Sequence, residues 1–342
     1  MAAALKRTAE QAEHRLAKLF RREVTPNLAE LERHRRQHRL SYLALLAGML
    51  GGIFLVFLLA QNLHHALTGN VVVLALGLLL MQGIERSYRN RVRRTVMPAI
   101  CGAVGDLNHG TGAAPDLSLD RLAQIGLVPD HNRARIDDVF CGRHRETGFT
   151  MAEVCLRRQR PGRRRGSSTV FRGLIFAIEV PRAVPACILI ARDGGLLGNG
   201  LRGWIKRLDG MQRVMLPDQV FETRFELYAD RPEVALATVT PALCANLVAL
   251  AEAQDGALFQ AAFADGRFFV AMRRRGDQFR VGSLFRSADQ LENEAMLLLQ
   301  EVQIVHRLID YLHGERPAPR PEAGPALAAE GPDEPAGPVV RR

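Results

Sequence analysis

Residues 42–84 read YLALLAGMLGGIFLVFLLA-QNLHHA-LTGNVVVLALGLLLMQGI, which is 43 consecutive positions without Asp, Glu, Lys or Arg. The first apolar stretch, residues 42–60, has 19 residues, and the second, residues 67–84, has 18. At about 1.5 Å per residue, a helix of either length can cross the hydrocarbon core of a bilayer. The strongest part of the second stretch is short, so that span needs its flanking residues to reach across. The stretch predicts a transmembrane helical hairpin.

Arginines flank this hairpin on both sides, whereas its short connecting loop contains neither Lys nor Arg. They are Arg33, Arg35, Arg36 and Arg39 before it, and Arg86, Arg89, Arg91, Arg93 and Arg94 after it. Under the positive-inside rule this distribution predicts a multi-pass protein of the bacterial inner membrane with both termini in the cytosol. The lipid bilayer is then a partner, and the arginines can pair with anionic head groups. The alternative is a hairpin buried inside a soluble protein.

The positive charge of the chain is concentrated around the hairpin. The total is +10, of which residues 1–41 contribute +5 and residues 85–100 contribute +4, while residues 101–314 contribute only +2. This balance argues against nucleic acid as a partner of the large domain. The five cysteines are scattered and form no Cys-x-x-Cys pair, which indicates buried thiols rather than a disulfide framework.

Composition divides the chain into four predicted parts. Residues 1–41 form a basic helical segment with an apolar stripe, 42–84 the transmembrane hairpin, 85–314 a cytosolic α+β domain, and 315–342 a disordered Pro/Ala-rich tail. The stripe, Leu5, Ala9, Ala12, Leu16 and Leu19, can lie on the bilayer, pair with another helix or pack on the domain. Thr25-Pro26 is expected to start a second helix.

The large domain predicts an antiparallel sheet with helices packed on one side and a long helix at its carboxyl end. Asp265-Gly266 joins two strand-like runs, as in a two-residue hairpin turn. Residues 221–228 alternate between apolar and polar side chains, as in a half-buried strand. Apolar residues from Leu291 to Leu312 follow helical spacing, and Gly314 ends the helix. Hairpin signals outnumber strand–helix alternation, so the fold class is α+β rather than a doubly wound parallel sheet.

The order of these elements resembles the bacterial family of membrane proteins known as domain of unknown function 3137 (DUF3137). The matching stretches are IDDVFCG at 136–142, FTMAEV at 149–154, VFRGLIF at 170–176, FETRFELYAD at 221–230 leading into TPAL at 240–243, and AFADGRFFVA at 262–271. The resemblance implies the topology and the fold. The family brings no established activity, so it implies no catalytic residue.

Two stretches are candidate binding sites. The first is a dense basic segment between two strands, which is either a solvated hairpin loop or a contact with an anionic surface. Its arginines are Arg157, Arg158, Arg160, Arg163, Arg164 and Arg165. The second is a Gly-x-Gly-x-x-Gly pattern, Gly198, Gly200 and Gly203, within the glycine-rich loop Gly194–Gly203. It matches a phosphate-binding pattern, but no parallel strand with a terminal acidic residue follows it.

No set of nucleophile, base and orienting group is recognisable. Asp137 and Asp138 are adjacent, so on a strand they point to opposite faces. No metal site and no cofactor are expected. The sequence thus predicts a membrane-anchored, non-enzymatic module that binds a protein partner or the inner-membrane surface. The alternative is a nucleotide- or phosphate-binding protein or enzyme that uses the Gly194–Gly203 loop.

Overall fold

A nine-stranded antiparallel sheet, packed against long helices, forms the centre of the computed structural model. The structure describes residues 11, 13–59, 62–159, 167–192, 210–253, 259–274, 282, 284–287 and 290–314. The α+β fold predicted from the sequence is confirmed. The tail at 315–342 lies outside the described residues.

Two long helices come first and pack against each other as a hairpin. Helix α1 (Thr25–Leu59) follows a π-helical turn at Phe20–Val24, and helix α2 (Leu63–Val104) runs without a break to the sheet. The predicted boundary at residue 85 therefore falls inside α2. The predicted helix start at Thr25-Pro26 coincides with the first residues of α1, but the helical path continues into it from Glu13, so Thr25 is helical rather than an N-cap. The wide π-helical turn ends two residues before Pro26, which has no N–H to donate to the preceding turn.

The strand order in the sheet is β1-β2-β3-β4-β9-β8-β5-β7-β6, and every pair is antiparallel. The strands are β1 (Leu107–Thr111), β2 (Arg133–His144), β3 (Thr147–Gln159), β4 (Ser167–Glu179), β5 (Ile188–Arg192), β6 (Gln212–Val214), β7 (Phe225–Ala229), β8 (Phe259–Ala264) and β9 (Arg267–Arg273). The remaining helices are α3 (Leu119–Gln124), α4 (Gln219–Glu222), α5 (Pro232–Thr238), α6 (Pro241–Ala253) and α7 (Leu291–Leu312).

The turn between β8 and β9 has the geometry that its sequence predicts. Asp265 has a φ of 51° and Gly266 a φ of 73°, so both central residues are in the left-handed region that a type I′ turn requires. Ala264 pairs with Arg267 directly beside the turn. The hairpin register is therefore set locally.

Helices cover both faces of the sheet. The larger core lies between one face and α1, α2, α6 and α7, with Phe140, Phe176 and Phe259 fully buried in it. On the opposite face, α3 and the residues after it pack on a second cluster that includes Leu122 and Ile175. The expectation of helices on one side is wrong for α3, because small side chains such as Ala177 and Ala271 leave room for a short helix there.

The amino-terminal apolar stripe packs on the domain. Leu16, Phe20 and Val24 are buried in the larger core, and the side chain of Leu19 lies beside Gly102 of α2. Of the three alternatives left by the sequence, the described part of the stripe therefore takes the third. Leu5, Ala9 and Ala12 lie outside the described residues.

The alternating stretch at 221–228 is a strand only in its second half. Phe221 and Glu222 belong to α4, whose first turn is capped by Asp218, since the Phe221 N–H donates to Asp218 Oδ1 at 3.0 Å. Strand β7 begins at Phe225, and all five of its side chains are buried. The predicted polar face is wrong, because Glu226 and Tyr228 are buried. The Tyr228 hydroxyl donates a hydrogen bond to Glu226 Oε2 at 2.9 Å.

Candidate functional site

The hairpin formed by α1 and α2 exposes a wide apolar surface. Two helices, Glu13–Leu59 and His64–Val104, are long and apolar enough to cross a membrane, with a mean hydropathy of 2.4 and 1.9 in their most apolar windows. Leu55 and Leu76 are 54% and 57% exposed. Soluble proteins rarely expose apolar patches of this extent, so the surface is compatible with membrane association.

Small residues bring the two helices of the hairpin together. Gly77 lies against the side chain of Met49, and Gly52 lies against Val73, so a larger residue at Gly77 would displace Met49. A Cβ at Gly48 or Gly51 would meet no atom of another part of the described chain within 4 Å. Close helix approach at small residues is the usual packing of membrane hairpins.

One charged contact joins the sheet domain to α1 just before the apolar stretch. Arg35 is only 8% exposed. Its guanidinium donates to both carboxylate oxygens of Glu32, at 2.5 and 2.7 Å, and to the carbonyl oxygen of Leu284 at 3.2 Å. A buried arginine with this many partners fixes the position of the segment around Leu284.

An aromatic contact lies about two helical turns beyond Arg35, towards the apolar stretch. The rings of Tyr42 and Phe285 meet edge to face, with 5.4 Å between their centroids. Tyr42 is the first residue of the apolar stretch, and Phe285 is 60% exposed. The exposed side chain of Arg286 follows. Aromatic and basic side chains together are typical of the interface between a bilayer and water.

Gly282 packs closely against α2, next to the Tyr42–Phe285 contact. Gly282 has a φ of +82°, and a Cβ there would lie 2.8 Å from Val92, so only glycine fits. Its N–H donates to Glu294 of α7 at 2.7 Å. Burial raises the pKa of the neighbouring Tyr88 to about 12. The segment around residue 284 thus connects α1, α2 and α7.

Asp138 links the second half of α2 to the sheet. It is fully buried in β2, and its carboxylate accepts from Arg93 and from His109 Nε2, each at 2.7 Å. Asp137 pairs instead with Arg135, which is well exposed. The two adjacent carboxylates point to different surroundings, as their positions on a strand require.

Two contacts relate β2 to α2. Asp138 contacts Arg93, whereas the Arg143 N–H donates to the carbonyl oxygen of Asp106, beyond the end of α2. Arg133 lies on the other side of Asp138 along the strand, about 16 Å from it at about 3.3 Å per residue. Arg93 itself is about 14 Å beyond residue 84 at helical rise.

The pairing of β2 with β3 determines where the arginine segment, residues 157–165, begins. Arg133 pairs with Arg157, so the end of β3 that leads into the segment lies beside the start of β2, the end of β2 opposite to Arg143. Arg158 donates to the carbonyl oxygen of Asp130 at 2.8 and 3.1 Å. Arg160, Arg163, Arg164 and Arg165 lie outside the described residues.

The glycine-rich loop with Gly198, Gly200 and Gly203 also lies outside the described residues. Its flanks are β5, which ends at Arg192, and β6, which begins at Gln212. Phosphate binding by this loop stays a prediction.

An open cavity of about 520 Å³ lies where α2 meets β1. Arg93, Arg94 and Asn90 of α2 line one side, and Asn108, His109 and Thr111 line the other. Cys101 also contributes to the wall, and burial raises the pKa of its thiol. A protonated thiol is a poor nucleophile.

A histidine cluster joins the carboxyl end of α7 to the β2–β3 hairpin. Asp310 is 1% exposed and lies 2.9 Å from both His144 Nε2 and Arg145 Nε. The rings of His144 and His306 stack, with 4.2 Å between centroids and 7° between planes. Burial, followed by the charge of His144, lowers the pKa of His306 to about 4. The neutral His306 makes this cluster a packing contact.

Among the residues that the structure describes, no group of three or more His, Cys, Asp or Glu is placed to hold a metal ion. Sequence reasoning missed the contacts at Phe285 and Asp138, because both depend on residues far apart in the chain. An exposed Phe-Arg pair is the signal that could have identified the first.

Fold and surface together define a class of α+β proteins with an apolar helical hairpin ahead of an antiparallel sheet. The family model described as "Protein of unknown function (DUF3137)" matches residues 169–313, from β4 to the end of α7. The chain therefore carries a DUF3137 region, which supports the family assignment predicted from its motifs. The motifs at 136–142 and 149–154 lie ahead of the matched region.

No curated protein matches the chain. Among solved structures, it is similar to the crystal structure of the mycobacterial trehalose monomycolate transport factor A, TtfA, at 10% identity and a TM-score of 0.31. That likeness covers 63% of this chain and 91% of the other. It is too low to support an argument about fold or function.

Proposed function

We propose that this protein is a membrane-anchored, non-enzymatic module whose sheet domain lies against the anionic cytosolic surface of the bacterial inner membrane. The α1–α2 hairpin spans the bilayer, both termini are cytosolic, and the domain binds lipid head groups with its basic side. A protein partner on the same surface is the second occupant.

The Tyr42–Phe285 contact is the observation that supports this proposal most directly. It brings an exposed aromatic residue of the sheet domain to the first residue of the apolar stretch. Phe285 then lies in the interfacial region, next to Arg286. A domain joined to the hairpin by a flexible linker would not need such a contact.

The proposed arrangement places the arginine segment on the same side. The paired residues Arg133 and Arg157 lie near the level of the bilayer surface under this arrangement. Each basic residue near an anionic surface contributes about 1 kcal/mol of attraction. Several arginines in one segment are enough to bind the domain to the anionic membrane surface at low salt.

Integration in the membrane is tested by alkaline carbonate extraction of the full chain expressed in bacteria. The wild type is expected to stay in the pellet, and Leu55→Arg combined with Leu76→Arg is expected to release it or lead to its degradation. An arginine at the centre of a span costs about 3 kcal/mol of insertion free energy. A wild-type protein that stays soluble without detergent would refute the proposal.

The matched control is Leu236→Arg. Leu236 lies on α5, outside the hairpin, and is 52% exposed, close to the value for Leu55. The control protein should stay in the pellet. A carboxy-terminal tag that is digested from the periplasmic side would contradict the predicted topology.

Contact of the arginine segment with anionic lipid is tested by trypsin digestion of the full chain reconstituted in vesicles. Phosphatidylglycerol is expected to slow cleavage at residues 157–165 severalfold relative to vesicles of phosphatidylcholine alone, because bound arginines are shielded from the protease. High salt should remove the protection. Cleavage after Arg182, an exposed residue between β4 and β5, serves as the internal control. Equal rates in both vesicles would exclude the lipid contact.

A further inference from the structure

The cavity between α2 and β1 differs in charge from an ordinary surface groove. Arg94 is exposed and makes no ion pair with the residues that the structure describes. Arg93 is already bound to Asp138. No carboxylate is among the residues that line the cavity. Arg93 and Arg94 against Asp138 leave one net positive charge beside the open space.

The polar groups around Arg94 are mostly hydrogen-bond donors with freedom to turn. Asn90 is exposed on α2, and Thr111 is exposed on β1, on the same strand face as His109. An arginine with amide and hydroxyl donors is the combination that binds a phosphate group. A carboxylate-free wall avoids repulsion of the same ligand.

The remaining lining is apolar. Met97 and Leu107 are buried, and Pro98 is exposed at the cavity. A volume of 520 Å³ exceeds that of a bare phosphate ion, so there is room for a carbon-containing group on it. Binding pockets of this size are typically apolar with a few oriented polar groups.

The Asp138 pair holds the cationic wall in place. Arg93 and His109 both contact the fully buried Asp138, so the side chains on the two walls share one anchor. Because neither residue has to be reoriented around Asp138, part of the ordering cost of binding is already met.

We propose that this cavity binds a phosphate ester, with Arg94 as the cation that contacts the phosphate and with Asn90 and Thr111 as additional donors. The ester is either a small soluble molecule or the head group of a lipid. The site does not depend on the membrane arrangement proposed above, since it is formed by α2 and β1 alone.

The test uses full-length protein in detergent, titrated with glycerol 3-phosphate by calorimetry at constant ionic strength. Saturable binding is expected, and Arg94→Gln should weaken it roughly tenfold or more, because a hydrogen bond to a charged group is lost. Thr111→Ala should weaken it less. Both side chains are exposed, so both variants are expected to fold.

The matched control is Arg182→Gln, which removes an exposed arginine between β4 and β5, outside the cavity. It should bind like the wild type. A second arm uses nanodiscs with lysophosphatidylglycerol. Binding in this arm alone identifies a lipid source, and binding of glycerol 3-phosphate identifies a soluble one. No binding in either arm, or equal binding by Arg94→Gln, would overturn the proposal.

Discussion

Gly173→Ala is expected to destabilise the sheet by about 3 kcal/mol or more, a large share of the stability of a typical domain. Gly173 lies in β4 opposite Arg273 of β9, at the centre of the strand order. A Cβ there would lie 1.9 Å from the carbonyl oxygen of Met272 and 2.9 Å from the backbone nitrogen of Arg274. Backbone atoms in a ladder cannot rotate away, so the two strands would have to separate.

Thermal unfolding followed by circular dichroism measures this effect. The midpoint should fall by about 10 °C, given the usual relation between free energy and melting temperature for a domain of this size. Gly110→Ala is the control, since Gly110 lies in the edge strand β1 and a Cβ there meets nothing within 4 Å. Equal midpoints for the two variants would show that β4 and β9 are not packed as described.

Asp138→Ala is expected to cost about 2–3 kcal/mol, because it leaves two partners of a buried carboxylate without their acceptor. Asp138 is fully buried, whereas the side chains of Arg93 and His109 are 25% and 13% exposed. Because water can still reach Arg93, the loss in free energy of unfolding should be at or below the lower end of the range for a broken buried ion pair.

Asp137→Ala provides the comparison at the adjacent position. Its partner Arg135 has a side chain that is 69% exposed, so the pair should contribute less than about 1 kcal/mol. Chemical denaturation of both variants in the same detergent separates the two carboxylates. A loss at Asp137 as large as that at Asp138 would show that burial does not distinguish them.

Local signals predicted the elements that depend on neighbouring residues. The turn at Asp265-Gly266 needs only two residues with positive φ, and α7 needs only its apolar spacing and Gly314. The stretch at 221–228 was misread because alternation alone does not register the cap that Asp218 provides. A helix of one turn leaves almost no periodic signal.

The candidate sites were less accessible to sequence reasoning. Asp138 gains its role from Arg93 and His109, which reach it from other elements. Phe285 is recognisable as a contact residue only once the structure places its ring against Tyr42. The arginine segment was recognisable from its composition, but its direction depends on the register between β2 and β3.

Helix α2 passes from the apolar hairpin to β1 as one rod. Its part beyond residue 84 is about 30 Å long at helical rise, and Pro98 is its only proline. In a bilayer, a tilt of about 10° at the buried end would shift the far end sideways by about 5 Å. If the hairpin spans a bilayer as proposed, a change in bilayer thickness that tilts α2 would therefore also move the sheet.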